Sequence, residues 1–356
     1  MPIPLLNFPS DLLRDVFKEC DPFDLYKLSK CSERTRKSIM AYSANNWKIK
    51  SSDTEISVVC RDSRYHFINT MSAMFHEYET FYPLYVPRPE VSEGMFIKYP
   101  NGGFTELFVY LLDTFRIKTV NAMRIANENV PSSDFLELVK LVIGRNLDVE
   151  RLYFGTRRIY QEIVKLMELV NQTNPTKAFF CGQSFPPNFQ HHFTRFPERI
   201  TVCNSHWFQL DQLISCSCSH ILLKNSKLTN QDLDLLLQKW KKNEALPNLQ
   251  FLDVYTNCIN NKSPILGMYP PINWKGHRDI FFQDGDDEKR LVNPVRVTKD
   301  DGTVGWLRVD LGESSEIEFL VVNSSSTVRE VIYQYPDSDD DDEIEEPADP
   351  NPRIQL

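Results

Sequence analysis

Cys203, His206, Cys216, Cys218 and His220 form the one group in this chain with residue types suited to a metal, because thiolate and imidazole are the ligands that zinc prefers. The paired Cys-x-x-Cys spacing of familiar zinc sites is absent. Cys203 and His220 also fall in predicted strands, and Cys216 and Cys218 straddle a helix end. Buried thiols and a loop histidine are therefore the preferred reading, with no metal or cofactor expected. His191-His192 has no nucleophile context, and Asp284 to Glu288 lacks the alternating ligand positions of a calcium loop. No Walker loop, Gly-x-Ser-x-Gly, His-Glu-x-x-His or dinucleotide fingerprint occurs. The basic run Arg34 to Lys37 is too short for a nucleic-acid stripe. No catalytic residues are expected, which turns attention from chemistry to binding.

Composition supports that shift. With 356 residues, 41% hydrophobic and 25% charged, the chain fits two to three ordinary folded units. The formal charge of -9 sits mainly in residues 336–356, where nine acids face Arg353 alone. The nearly neutral remainder has no global attraction for nucleic acid or anionic lipid. Charged residues from Asp11 to Asp21 interrupt any apolar leader, and no run approaches the ~18 apolar residues of a membrane span. Eight scattered cysteines read as reduced thiols. The expectation is a chain of the cytoplasm or nucleus with neither membrane nor nucleic acid as partner.

Three short helices are punctuated in the first fifty residues. Pro9 precedes Leu12, Leu13, Val16, Phe17 and Cys20 at helical spacing. Asp21 can cap a second helix with Pro22 at its first position and Leu25 and Leu28 on its apolar face, and Ser32 can cap a third. So small a unit buries little surface alone and needs a neighbour.

The order Leu6-Asn7-Phe8-Pro9, Leu12-Leu13-Arg14-Asp15-Val16-Phe17, Asp21-Pro22-Phe23-Asp24-Leu25 and Leu28-Ser29-Lys30-Cys31-Ser32 resembles an F-box over residues 1–48. Phe8 stands where that family more often has leucine. The resemblance implies docking on the small adaptor subunit of a Skp–cullin–F-box ubiquitin ligase. It further implies that Leu6, Phe8, Pro9, Leu12, Leu13, Val16, Phe17, Leu25 and Leu28 form the docking surface or its supporting core.

Residues 49–103 read as a hairpin, with Ile56, Val58 and Cys60 opposite Tyr65 and Phe67, followed by an irregular, proline-rich transition. From residue 104 to 260, short apolar runs alternate with helical patterns. Taking Ile125, Phe154, Phe180, Val202, Leu223 and Val254 as equivalent strand anchors gives intervals mostly in the leucine-rich-repeat range. Asn127, Asn204 and Asn225 follow their anchors by two residues, where a buried amide could bond the loop backbone between coils. The fold expected is α/β: the helical trio, then a degenerate leucine-rich-repeat-like solenoid of strand–helix units. A doubly wound parallel sheet is the alternative. The stretch from His220 to Trp240, with Leu246-Pro247-Asn248-Leu249, resembles the type 2 F-box-associated domain of nematode F-box proteins, beginning near residue 175. Thr229-Asn230-Gln231-Asp232 opens its helix as a capping box.

Residues 261–335 are expected to form a small antiparallel cap, with a hairpin from Pro294 to Asp310 turning at Asp301-Gly302 and a third strand through Ile317, Phe319 and Val321. Residues 336–356 are expected to stay disordered, with Ser338 a possible target of an acidophilic kinase. Together the resemblances imply a non-catalytic substrate receptor of the ligase that captures an unidentified protein. The alternative is a repeat-type interaction scaffold that assembles into no ligase.

Overall fold

The computed structural model describes residues 8–42, 46–52, 55–69, 91–100, 103–125, 132–155, 160–284, 287–322 and 328–333. Leu6, Pro83 to Pro89, Asn127, Ser338 and the acidic segment 336–356 lie outside these residues.

Helices α1 (Ser10–Glu19), α2 (Pro22–Cys31) and α3 (Glu33–Tyr42) open the chain. Asp21 Oδ1 accepts from the Asp24 amide at 2.8 Å, and Pro22 occupies a position whose missing N–H costs nothing. Ser32 Oγ accepts from the Thr35 amide at 3.0 Å and so caps α3. The neighbour that this trio needs is supplied by its own chain. Phe23 meets Tyr65 and Phe67 edge-on at 5.2 Å, and Tyr26 meets Phe67 at 5.2 Å. Ser29 Oγ lies 2.8 Å from the Tyr110 hydroxyl.

Strands β1 (Lys48–Ser51), β2 (Glu55–Cys60), β3 (Ser63–Asn69) and β4 (Val91–Ile97) follow, then α4 (Gly103–Phe115). The hairpin expected within 49–103 is present as β2 and β3, paired antiparallel. The segment is no mere transition, however. All four strands belong to the main sheet because Ile49, Ile56, Val58 and Phe67 are fully buried in the common core.

The chain then alternates: β5 (Thr119–Ile125), α5 (Ser132–Gly144), β6 (Asp148–Val149), β7 (Arg151–Phe154), α6 (Tyr160–Thr173), β8 (Ala178–Cys181), β9 (Arg199–Val202), α7 (Leu210–Ser215), β10 (His220–Ser226), α8 (Asn230–Lys241) and β11 (Phe251–Thr256). Strands β5, β7, β8, β9, β10 and β11 pair in parallel in chain order. Buried residues of these strands, such as Leu152, Phe154, Phe179, Ile200, Ile221 and Leu252, share one core with Leu138, Ile163, Leu213 and Leu236 of the helices. One face of the sheet therefore carries the helices. The β8–β9 link has no helix, and Phe185, Phe193, Trp207 and Phe208 fill that space as a ring cluster.

One strand anchor is corrected by the register. Phe154 pairs with Cys181, and Cys181 with Val202. Cys181 thus faces the helices while Phe180 faces away, because a shift of one residue turns a strand side chain to the other face.

Beyond β11 come β12 (His277–Asp284), β13 (Asp287–Val292), β14 (Val295–Thr298), β15 (Val304–Asp310), β16 (Ser315–Val322) and β17 (Val328–Tyr333). The expected hairpin is β14–β15, and β16 closes the parallel array by pairing antiparallel with β11. A second sheet, in the order β13-β12-β17, packs Ile280, Phe282 and Leu291 against Phe251, Trp306 and Leu320 on the helix-free face. The whole is an N-terminal helical trio followed by a mixed α/β region with a 14-stranded sheet, and the described residues form no closed barrel.

Candidate functional site

Two surfaces could meet a partner. On the first, adjacent leucines of α1 diverge: Leu12 is 45% exposed and Leu13 is 5% exposed. Consecutive helical residues point about 100° apart, so only one can face the body. Leu13, Phe17 and Leu25 are sealed in the chain's own core. Pro9 and Leu12 are exposed, while Phe8, Val16 and Leu28 are half-buried. Of the nine residues expected to dock or support docking, the described eight thus divide into three core residues and five on or near the surface. Among the described residues, no helix is long and apolar enough to cross a membrane.

The second surface is the face of the main sheet that carries no helix among the described residues. Register places Arg124, Tyr153, Phe180, Thr201, Leu222, Asp253, Glu318 and Arg308 in one row across eight strands. Beside this row runs a cavity of about 180 Å³, lined by Tyr153, Phe180, Leu222, Arg199, Asp253 and Asp284 among others. That space is similar to the roughly 150 Å³ cavity that holds a benzene ring.

Charge is unevenly divided along the face. Near the Arg124 end, burial and then the neighbouring Arg64 pull the Lys50 ammonium down to about 8, with Arg124 and Arg151 adding to the repulsion. Glu150 is shared by Lys48 at 2.7 Å, Lys177 at 3.0 Å and Arg151 at 3.4 Å. Near the other end, burial pushes the Asp253 carboxyl up to about 8, and Glu316 and Glu318 push the same way. Asp253 Oδ1 is buried without a hydrogen-bonding partner among the described residues. Asp284, from β12, behaves differently. Burial alone would raise it, but hydrogen bonds from Lys289 and Arg199, both at 2.6 Å, hold it below the usual carboxylate range. His220 lies 3.3 Å from Asp284, yet burial and then Arg199 hold its imidazole down at about 4.

The metal-type residues are dispersed in role. Cys216 and Cys218 are fully buried, His206 Nε2 lies 3.0 Å from the Pro186 carbonyl, and His220 belongs to the Asp284 network. The described residues contain no group of three or more histidine, cysteine or acidic side chains placed to hold a metal. The asparagines do link successive turns. Asn225 Nδ2 donates to the Cys203 carbonyl and to Asn204 Oδ1, both at 3.1 Å, and Asn204 Nδ2 donates to the Gly182 carbonyl at 3.4 Å. Asn225 is exposed and Asn204 half-buried.

Sequence reasoning missed Asp253 and its row. The signal was present as a polar residue between buried Leu252 and Val254, but a strand pattern alone does not say what covers its other face.

Comparison with known proteins adds family information. A family model described as the F-box domain matches residues 5–41, and one described as F-box associated matches residues 188–254. The chain is 26% identical over 136 residues to the Skn-1 dependent zygotic transcript 15 protein of Caenorhabditis elegans, a match covering 37% of this chain and 39% of that protein. The chain thus spans about two fifths of the length of this curated relative. No solved structure matches.

Proposed function

We propose that this chain, a nematode-type F-box protein with an F-box-associated segment, is the substrate-recognition subunit of a Skp–cullin–F-box ubiquitin ligase. The supporting observation is the exposure of Leu12 on a helical trio that Leu13, Phe17, Phe23, Leu25 and Ile39 anchor to the body. Pro9 and Leu12, flanked by Phe8, Val16 and Leu28, would contact the adaptor, while Leu13, Phe17 and Leu25 fix the orientation of that surface. The parallel strand–helix units act as a leucine-rich-repeat-like solenoid whose helix-free face captures a protein in the cytoplasm or nucleus. The chain performs no bond chemistry. It raises rate by proximity, making an encounter between substrate and ubiquitin-charged enzyme effectively intramolecular.

Co-expression with a Skp1-type adaptor tests this reading. Intact protein should co-purify with the adaptor, and Leu12→Asp should abolish co-purification while leaving the melting temperature within about 2 °C of the parent. A chain that melts normally but never retains the adaptor belongs instead to the rival class, an interaction scaffold outside any ligase.

A further inference from the structure

We propose that Lys50, Arg64 and Arg151 form a binding site for a phosphoryl dianion, at the end of the main sheet built by β1, β2, β3, β5 and β7. The site goes beyond the receptor reading and stands without it.

Strand register brings the three cations to one face. Ile49, Phe67 and Leu152 belong to the core, and Lys50, Arg64 and Arg151 lie an odd number of residues from them, so they face the other way. Lys50 pairs with Ser57 on one side and with Ala122 on the other, which leaves only small side chains beside its ammonium. Arg64 stands beyond Ser57 on β3, and Arg151 beyond Ala122 on β7. Each is about two strand steps from Lys50, roughly 10 Å at the backbone, and both repel its ammonium.

The described residues supply this group with too few anions. Lys50 makes no hydrogen bond or ion pair among them, and Arg64 Nε is buried without a hydrogen-bonding partner. Glu55, the carboxylate that faces Lys50, is engaged by His66 at 3.0 Å, and Glu150 is divided among Lys48, Lys177 and Arg151. Five cations thus meet two carboxylates, without Arg124, whose guanidinium lies over the Tyr153 ring at 5.9 Å. Of the three positive charges left over, a ligand carboxylate cancels one. A phosphoryl group cancels two and brings three strong acceptor oxygens for the ammonium and the two guanidiniums. It also relieves the repulsion that, after burial, holds Lys50 down at about 8. Lys48 and Lys177, with side chains 35% and 44% exposed, form the rim, and half-buried Lys50 and Arg64 form the floor.

The test uses the full chain and a fluorescein-labelled probe, acetyl-Gly-Gly-phosphoserine-Gly-Gly-amide, read by polarisation, with inorganic phosphate and sulfate titrated by calorimetry. The phosphoserine probe should bind at least tenfold more tightly than its Ser and Glu versions. Lys50→Gln and Arg64→Gln should each weaken it at least tenfold without lowering the melting temperature, because each removes a repelled cation, whereas Lys50→Arg should retain it. The charged groups facing Lys50 are Glu55 of β2, Arg64 of β3, Arg124 of β5 and Arg151 of β7. Guanidiniums keep their charge, and His66 and then the neighbouring cations hold Glu55 below the usual carboxylate range against the effect of burial. Sulfate, a dianion throughout, should therefore bind at least threefold more weakly at pH 9 than at pH 7 in the wild type, as Lys50 loses its proton, and equally at both in Lys50→Arg. A probe that binds at least tenfold more tightly than inorganic phosphate identifies a phosphorylated side chain as the source of the group, and a smaller difference identifies a free phosphate; both support the site. Equal binding of phosphoserine and Ser probes overturns the proposal, as does a Glu probe that binds as tightly as phosphoserine. Unchanged affinity in both Gln variants also overturns it.

Discussion

At neutral pH the folded chain keeps Asp253 largely protonated and His191 and His220 uncharged, and each of these choices has a sign. Asp253 titrates at about 8 when folded and near 4 when unfolded, so its stabilising contribution is full below pH 4 and lost as pH rises to 8. His191 and His220 titrate at about 4 when folded and near 6.5 when unfolded, so theirs is full above pH 6.5 and lost as pH falls to 4. In the window from pH 4 to 8, two rising contributions oppose one falling contribution below 6.5, and only the falling one remains above it. Stability should therefore peak near pH 6.5 and decline toward pH 8 by at most about 1.4 kcal/mol per pH unit. Denaturant titrations at pH 5, 6.5 and 8 would show this, and Asp253→Asn should flatten the alkaline limb while steepening the acid limb, where its falling contribution no longer opposes the histidines. An alkaline decline that persists in that variant would refute the assignment of a buried neutral acid. None of this was legible beforehand, because Asp253 acquires its environment from β16 and β13, both distant in sequence.

The elements themselves were largely legible where local chemistry fixes them. Caps at Asp21, Ser32 and Thr229 mark helix starts, and alternating apolar runs mark the strands from β5 to β11. The second sheet was not anticipated because β12, β13 and β17 assemble from separated segments over Phe251, Trp306 and Leu320. Close packing of α8 on the sheet gives a further prediction. A Cβ at Gly305 would come within 2.5 Å of the Phe319 ring and 3.2 Å of Trp240, whose rings already meet edge-on at 4.8 Å. Gly305→Ala should cost about 1–3 kcal/mol by overpacking, measured by urea unfolding, and an unchanged midpoint would mean α8 sits farther from β15. The asparagine link between turns behaves differently. Asn225 has φ of 50° and donates two amide bonds, so Asn225→Ala should be worse than Asn225→Gly by about 1 kcal/mol, since only glycine escapes the backbone penalty.

At the scale of the whole molecule, the helical trio and the sheet share one continuous core, which explains why a unit too small to stand alone can still present a rigid surface. The sequence pattern named the pair Leu12-Leu13, but which of the two turns outward depends on where α1 packs on α3. Leu13→Asp should unfold the N-terminal region by placing a charge at a site 5% exposed, whereas Leu12→Asp should leave the melting curve almost unchanged. Removing the trio outright would strip cover from Phe67 and Tyr110, so a point change is the cleaner probe of docking. The most direct measurement is calorimetric titration of a purified Skp1-type adaptor into the wild-type chain and into Leu12→Asp. A stoichiometric complex with the wild type, weakened at least tenfold by Leu12→Asp at unchanged melting temperature, is the expected result. Equal affinity for both chains, or no heat with either, would contradict the assignment of this surface to a ubiquitin ligase.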